Sequence, residues 1–193
     1  MNKTKIARLV SIVGHPFTMI VLLVLLLSWT MDRAAAWRIT GFVAAMGLIP
    51  TGFLIWRSAS RRRQTMDAPV HKTDRTILYF SLLAVLLLSS VYFHFVEHSV
   101  FLVRGSAITA LMSAVAAVLN RWIRVSLHLA FAVFSGLILA SIHPGYGVPI
   151  LIFAPVLAWS RLTLLRHTLP EVVCGSALGL GAAGLLIWLW PQG

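Results

Sequence analysis

The stretch Ser160-Arg161-Leu162-Thr163-Leu164-Leu165-Arg166-His167-Thr168-Leu169-Pro170-Glu171 lies between two strongly apolar segments of the chain. It contains two arginines, a histidine and a carboxylate. Ionisable groups close to bilayer hydrocarbon cost several kcal/mol, so they are rare there and generally serve a function. The stretch therefore predicts a connection between two apolar helices and, at the same place, a candidate functional site.

The composition indicates a membrane protein. Of the 193 residues, 59% are hydrophobic and 11% are charged, whereas soluble domains average about 25% charged residues. A transmembrane helix needs roughly 20 mostly apolar residues, and the chain offers about seven such stretches. They are 16–31, 37–56, 76–96, 99–119, 125–142, 146–160 and 170–190. The predicted fold is all-α, a polytopic transmembrane helical bundle of about seven helices, with residues 1–193 forming a single integral membrane domain.

The N-terminal residues 1–14 are interpreted as a short basic lead-in to the first apolar helix, which His15 and Pro16 open. A basic start followed by an apolar run also occurs in signal peptides, but residues 28–33 fit a small-residue cleavage site poorly. We therefore expect a retained first helix. Cys174 is the only cysteine, which excludes an internal disulfide and any cysteine-based metal cluster.

The basic residues are concentrated at one end of the predicted bundle. The chain has 16 Lys and Arg against 5 Asp and Glu, a formal net charge of +11. Because these cations lie between apolar segments, they indicate membrane topology and contact with anionic headgroups rather than nucleic acid. Counting helices assigns to one end Lys3, Lys5, Arg8, Arg57, Arg61, Arg62, Arg63, Lys72, Arg75, Arg121, Arg124, Arg161 and Arg166, and to the other Arg33, Arg38 and Arg104. The positive-inside rule then predicts a multi-pass protein of the cell (inner) membrane, with a cytoplasmic N-terminus and a cytoplasmic candidate site.

A second polar stretch emerges at the same end of the predicted bundle. Ser126 and His128 follow Arg124 at the start of the fifth apolar segment. Two predicted helices separate this stretch from Arg75, and two more separate it from Arg161. The three segments therefore meet at one end of the bundle, although a Ser-x-His triplet alone is common by chance.

The residue types at 160–171 suit the cleavage of a phosphate ester. That reaction needs cations around the non-bridging oxygens, a nucleophile, and an acid for the leaving oxygen. Arg161 suits bidentate contact with a phosphate. Glu171, one helical turn after His167, suits holding the imidazole tautomer, as the acid of a catalytic triad does. Thr168 to Glu171 also reads as a helix-capping box, and both interpretations stay open.

The helical spacing predicts a break within the stretch. On an ideal helix Arg161 and His167 lie about 120° apart, so one straight helix cannot present both on a face. We expect a break before Pro170, supported by Thr168 and by the proline itself. His167 would then lie just outside a helix N-terminus, where free N–H groups and the helix dipole favour anions.

The spacing of Ser-Arg, five residues, His, three residues and an acid resembles the third signature of the type-2 phosphatidic acid phosphatase (PAP2) superfamily, whose usual acid is Asp rather than Glu. Ser126 and His128 match the serine and histidine of its second signature, Pro-Ser-Gly-His, while Val125 and Leu127 replace the proline and glycine. The resemblance covers about residues 70–185. It implies a PAP2/haloperoxidase-like helical core.

The first signature of that superfamily is Lys, six residues, Arg-Pro, and the polar linker 57–75 matches it only in part. Arg75 takes the place of the arginine, but Thr76 follows it and Ala68 stands at the position of the lysine. Lys72 is the candidate substitute, reaching the phosphate from a different offset.

The resemblance implies a role for each matching residue. His167 would be the nucleophile that forms a phosphohistidine, and His128 would protonate the leaving alkoxide. Glu171 would orient His167. The phosphate-binding set would be Arg161, Arg75, Arg124, Ser126, Ser160 and Lys72. No metal or cofactor is implied.

The favoured function is therefore a membrane-embedded lipid phosphate phosphatase, acting on phosphatidic acid or on an isoprenyl phosphate or diphosphate. The expected partners are that anionic lipid and the bilayer, with no nucleic acid. Two alternatives stay open. One is a catalytically inactive PAP2-like protein that binds or moves anionic lipids, and the other is a small unrelated transporter whose basic loops only set topology.

Overall fold

The computed structural model describes residues 2–31, 33–64 and 72–190, with side chains in 2–30, 33, 35–48, 52 and 79–190. Over these residues the chain forms eight α-helices and no strand. In chain order they are α1 (Lys3–Val13), α2 (Pro16–Met31), α3 (Arg33–Gln64), α4 (Lys72–Phe95), α5 (Val100–Leu119), α6 (Leu127–Ile142), α7 (Pro144–Thr163) and α8 (Leu169–Trp188). The prediction of an all-α fold is confirmed, and the seven predicted apolar segments correspond to α2 through α8.

The N-terminal residues form a helix, α1, so the prediction of a simple basic lead-in is wrong. The side chain of Asn2 caps α1 by accepting a hydrogen bond from the Thr4 N–H at 3.4 Å. Ala7 is fully buried, and its carbonyl accepts a 2.6 Å hydrogen bond from the Ser160 hydroxyl of α7. The small side chain of Ala7 allows this close approach. Tertiary contact with α7, which a local pattern does not reveal, stabilises α1.

A sharp corner joins α1 to α2. The two helices are bent by 47° at the break formed by Gly14 and His15. Pro16 explains the position of the corner, because a proline disfavours helical backbone at the preceding residue and begins a helix without needing its own N–H. The corner places the side chain of His15 between two helices.

Several of the helices are suited to a bilayer. Among the described residues α5, α7 and α8 are long and apolar enough to cross a membrane, and α1 with α2 adds a fourth span if the bent pair is one crossing. Shorter apolar helical stretches cover Ala35–Leu48, Tyr79–Phe95 and Leu127–Ile142. Length and composition therefore support membrane association.

Long-range hydrogen bonds sort the helix ends into two groups. At one end, which we call the site end, Ser126 at the start of α6 donates its N–H to the carbonyl of Glu171 at the start of α8, at 3.2 Å. At the other end, which we call the opposite end, Arg104 near the start of α5 donates to the carbonyl of Leu189 after α8, at 2.7 Å. The stretches 120–126 and 164–168 both lie at the site end. The one-end placement of these two stretches that helix counting predicts is confirmed.

Glycines bring α8 close to α6. A Cβ at Gly175 would collide with the carbonyl of Ser126, and a Cβ at Gly179 would collide with the carbonyl of Ala130. Small residues at four-residue spacing let helix backbones approach in this way, as is common between apolar helices. The close approach positions the first turn of α8 against the start of α6, where the candidate site lies.

The contact between α6 and α8 can be tested by enlarging one glycine. Gly179→Leu is expected to lower the melting temperature of the purified protein in detergent, because overpacking costs about 1–3 kcal/mol. Gly181→Leu is the matched control, since nothing lies within 4 Å of a Cβ at that position. Equal melting temperatures for the two variants would contradict this packing.

Candidate functional site

The connection between α7 and α8 is a tight turn that ends at His167. Because α7 ends at Thr163 and α8 begins at Leu169, the predicted break before Pro170 is confirmed. The Leu165 N–H donates to the Leu162 carbonyl at 3.0 Å, and the Arg166 N–H donates to the Arg161 carbonyl at 3.1 Å. This pair of bonds forms a Schellman motif, with its left-handed position occupied by Leu165 at a φ of 52°. Glycine is usual there, because a side chain in left-handed backbone costs about 1–2 kcal/mol.

Glu171 is the centre of the hydrogen bonding at the site end. Its Oε2 accepts a 3.1 Å hydrogen bond from the backbone N–H of Thr168, which is the carboxylate half of a capping box. The same oxygen lies 3.1 Å from Nδ1 of His167. The other oxygen, Oε1, accepts from Nε of Arg124 at 3.2 Å. The capping and orienting interpretations of Glu171 are therefore compatible, because one carboxylate makes both sets of contacts.

The contacts of His167 define its tautomer. Its Nδ1 lies within hydrogen-bond distance of two acceptors, the Glu171 carboxylate at 3.1 Å and the Arg124 carbonyl at 3.2 Å. Since both partners only accept, Nδ1 carries the proton, and Nε2 of the neutral ring keeps its lone pair. A ring held in this way presents a nucleophilic nitrogen.

The surroundings of His167 favour the neutral ring. Its side chain is 14% exposed, and burial is the main cause that lowers its pKa below the ordinary value of 6.5. The positive charge of Arg161 lowers the pKa further. The hydrogen bond and charge of Glu171 act in the opposite direction, but the net shift is downward. His167 is therefore mostly uncharged at neutral pH.

Arg161 is a buried cation without a carboxylate partner among the described residues. The residue is only 6% exposed, and its Nη1 donates a 2.7 Å hydrogen bond to the hydroxyl of Ser11 in α1. Its buried Nε has no hydrogen-bond partner among the described residues. A buried charge is costly unless it is paired. An anion beside Nε would provide the missing partner.

Two further histidines lie within electrostatic range of this cation. The rings of His15 and His128 make an edge-to-face contact with centroids 5.5 Å apart. Arg161 is close enough for its charge to act on both rings, and the charge of Arg166 also acts on His128. His128, Arg161, His167 and the carboxylate that bonds His167 therefore form one cluster. We call this cluster, together with His15, the site cluster.

The remaining predicted site residues have other contacts. Arg124 is 56% exposed in its side chain and pairs with Glu171. Ser126 is fully buried, and its hydroxyl has no partner among the described residues. Ser160 is also fully buried, and its hydroxyl donates to the backbone of α1. The side chains of Lys72 and Arg75 lie outside the described residues.

Three residues of this region are absent from the predicted site. They are Ser11, His15 and Arg166. Ser11 depends on the packing of α1 against α7, which the sequence pattern does not show. His15 did carry a signal, because helix counting places the start of the first apolar segment at the same end as His128 and His167.

The opposite end contains a charge cluster that is internally paired. Arg38 donates two hydrogen bonds to the Glu97 carboxylate, at 2.9 and 2.8 Å, and the Tyr92 hydroxyl donates a third at 2.7 Å. The hydrogen bonds from Arg38 are the main cause that lowers the pKa of Glu97. This arginine, unlike Arg161, is satisfied by the protein itself.

Comparison of the chain with models of protein families, with curated proteins and with solved structures finds no match. No described group of three or more His, Cys, Asp and Glu side chains is arranged to hold a metal ion.

The protonation of His167 can be measured directly. Because its pKa is lowered, the ring should gain a proton only below pH 6.5. Glu171→Gln should move the titration to still lower pH, since the carboxylate raises this pKa, while glutamine keeps a side chain able to cap α8. NMR of isotope-labelled imidazoles would follow the titration, with His167→Asn identifying the signal. Glu97→Gln at the opposite end is the control and should leave it unchanged. A midpoint that rises in Glu171→Gln would contradict the arrangement.

Proposed function

We propose that this chain is a membrane-embedded lipid phosphate phosphatase that acts through a phosphohistidine. The observation that carries the proposal is the buried guanidinium of Arg161, which has no carboxylate partner among the described residues and whose charge acts on the oriented ring of His167. A phosphate monoester supplies the anion that the guanidinium lacks, and it presents phosphorus to the nucleophile.

Binding would begin with the cation. Among the described residues the enclosed Nε–H of Arg161 has no acceptor, and in the complex it would donate to a non-bridging oxygen while Ser11 holds Nη1 in place. A charge-assisted hydrogen bond of this kind is about twice as strong as a neutral one. The site is poor in water because it is buried, which strengthens the attraction further. Arg161 would thus both bind the substrate and stabilise the charge on phosphorus in the transition state.

The chemical step would use His167. Its Nε2 lone pair attacks phosphorus, a P–N bond forms, and the P–O bond to the lipid alkoxide breaks. The ring becomes cationic as it is phosphorylated, and the Glu171 carboxylate at 3.1 Å from Nδ1 stabilises that charge. Glu171 in turn is fixed by Arg124 and by the Thr168 N–H.

His128 would handle the leaving group. Its ring lies in the same cluster, and the negative charge of a bound phosphate favours a proton on it. It gives this proton to the departing alkoxide, which leaves as an alcohol. In the second half of the reaction His128 takes a proton from water as the water attacks phosphorus, so the P–N bond breaks and inorganic phosphate leaves. His128 therefore loses one proton to the alkoxide and regains one from water in each turnover.

The position of the cluster supports a lipid as the substrate. The cluster lies at the ends of α6, α7 and α8, and α7 and α8 are long and apolar enough to cross a membrane. Trp122 and Leu165, at the same end, are 75% and 92% exposed, as expected of side chains that meet lipid. A phosphate at this depth would be attached to an acyl or isoprenyl chain in the bilayer. The cytoplasmic face remains the prediction of the charge distribution.

A second candidate function is the binding of anionic lipids without hydrolysis. The observation that favours it is the pairing of Arg124, because this predicted phosphate ligand already contacts a carboxylate. Val125 and Leu127 in place of the proline and glycine of the second signature favour it too. Retained binding of anionic lipid with no turnover on a broad substrate panel would distinguish this function.

Loss of the nucleophile tests the proposal. Purified protein should release phosphate from phosphatidic acid or an isoprenyl phosphate in the presence of EDTA, and His167→Ala should lower the rate by about a thousandfold or more, as loss of a nucleophile does in other enzymes. Substrate labelled at phosphorus should leave an acid-labile label on the parent and none on His167→Ala. The control is His143→Ala, an exposed histidine at the opposite end. Phosphate release by His167→Ala at the parental rate would refute the assignment.

The role of Arg161 has its own test. Arg161→Lys should raise KM for phosphatidic acid by about tenfold, because a lysine replaces the planar fork with a single point charge and cannot reproduce both contacts. The control is Arg121→Lys, an exposed arginine at the same end. Steady-state kinetics in mixed micelles would give the values. Equal KM values for the two variants would remove Arg161 from the phosphate site.

A further inference from the structure

We propose that His15, at the corner between α1 and α2, is an additional phosphate-binding residue of the site cluster, donating its Nε2–H to a non-bridging oxygen. This inference rests on the proposed function for the identity of the anion. It assigns a role in the site to the N-terminal segment, which lies outside the region that resembles the superfamily.

The local structure defines the tautomer of His15. Its Nδ1 accepts a hydrogen bond from the backbone N–H of Phe17 at 3.3 Å, in the first turn of α2. An accepting Nδ1 has no proton of its own, so the proton of the neutral ring is on Nε2. At the corner, His15 therefore has a donor N–H at Nε2, while its Nδ1 is occupied by the hydrogen bond from Phe17.

That donor is unused among the described residues, and its ring packs against the ring of His128. Among the described residues no hydrogen bond engages Nε2 of His15, and its ring contacts the ring of His128 at 5.5 Å. Arg161 is close enough for its charge to act on His15. No carboxylate acts on His15 among the described residues, so the groups around it are cationic or neutral. An anion is the ligand that this combination of donors favours.

The packing of α1 holds the parts together. Ser11, one turn before His15, accepts the hydrogen bond from Nη1 of Arg161, and Ala7, one turn earlier still, accepts from Ser160. Two contacts from one helix thus fix the α7 arginine relative to the corner. The planar fork of the Arg161 guanidinium donates to two oxygens of one phosphate, so the third non-bridging oxygen needs a donor from another residue. His15 supplies the additional donor.

A crossed pair of substitutions separates ligand binding from helix capping. In His15→Asn the side-chain oxygen takes over the capping role of Nδ1, while the donor at the Nε2 position is lost. In His15→Gln the amide nitrogen reaches the Nε2 position, while the cap is lost. We expect His15→Asn to weaken binding of inorganic phosphate by about tenfold or more, the typical worth of a hydrogen bond to a charged group. We expect His15→Gln to bind phosphate within about threefold of the parent.

Binding is measured by titrating the full-length purified protein in detergent with inorganic phosphate, using calorimetry, and the melting temperature without phosphate is recorded for each variant. His143→Gln at the opposite end is the matched control and should bind as the parent does. KM for phosphatidic acid should rise in His15→Asn while kcat changes less. Parental phosphate affinity in His15→Asn, with loss of affinity and of melting temperature in His15→Gln, would show a capping role only and would overturn the inference.

The two proposals fail in different ways. If the parent binds inorganic phosphate through His15 but hydrolyses no lipid phosphate, the proposed function fails and the ligand role of His15 stands. If the parent hydrolyses phosphatidic acid, and both His15 variants bind phosphate as the parent does, the role of His15 alone is refuted.

Discussion

The carboxylate of Glu171 is the constraint on which the geometry of the site end depends. It accepts from the N–H of Thr168, the residue that caps α8, from Nδ1 of His167 and from Nε of Arg124. It therefore joins the turn between α7 and α8 to the stretch before α6. Each contact restricts a different element: the start of α8, the imidazole and the stretch before α6. Because a half-satisfied buried network is costly, these contacts stabilise one another. The nucleophilic orientation proposed for His167 is a consequence of a helix cap that the fold requires in any case.

The two ends of the bundle differ in whether an arginine is paired with a carboxylate. At the opposite end Arg38 is neutralised by Glu97 through two hydrogen bonds. At the site end the carboxylate of Glu171 contacts an imidazole and an exposed arginine, while the buried Arg161 donates only to a hydroxyl among the described side chains. A fold under selection for stability alone has no reason to bury a guanidinium in this way. The difference within one chain supports the interpretation of Arg161 as a binding residue.

Close helix packing makes this arrangement possible. Gly175 and Gly179 let α8 approach the backbone of α6, and Ala7 does the same for α1 against α7. Helices that approach this closely bring their terminal residues within hydrogen-bond distance across a junction of four helices. Helices α5, α7 and α8, which are long and apolar enough to cross a membrane, each have one end at the site end.

The sequence by itself determined the elements of this protein. Runs of apolar residues set α2 through α8, because burying or embedding them outweighs every local alternative, and Thr168, Pro170 and Glu171 set the start of α8 through capping that acts within one turn. Helix counting also placed His128 and His167 at one end. Only the tertiary structure decided which side chains meet. The neighbours of Arg161 and His15 depend on a 47° bend and on the packing of α1 against α7, and the partner of Arg124 depends on the approach of α8 to α6. These contacts join residues far apart in the chain. The sequence pattern around each residue therefore does not predict them.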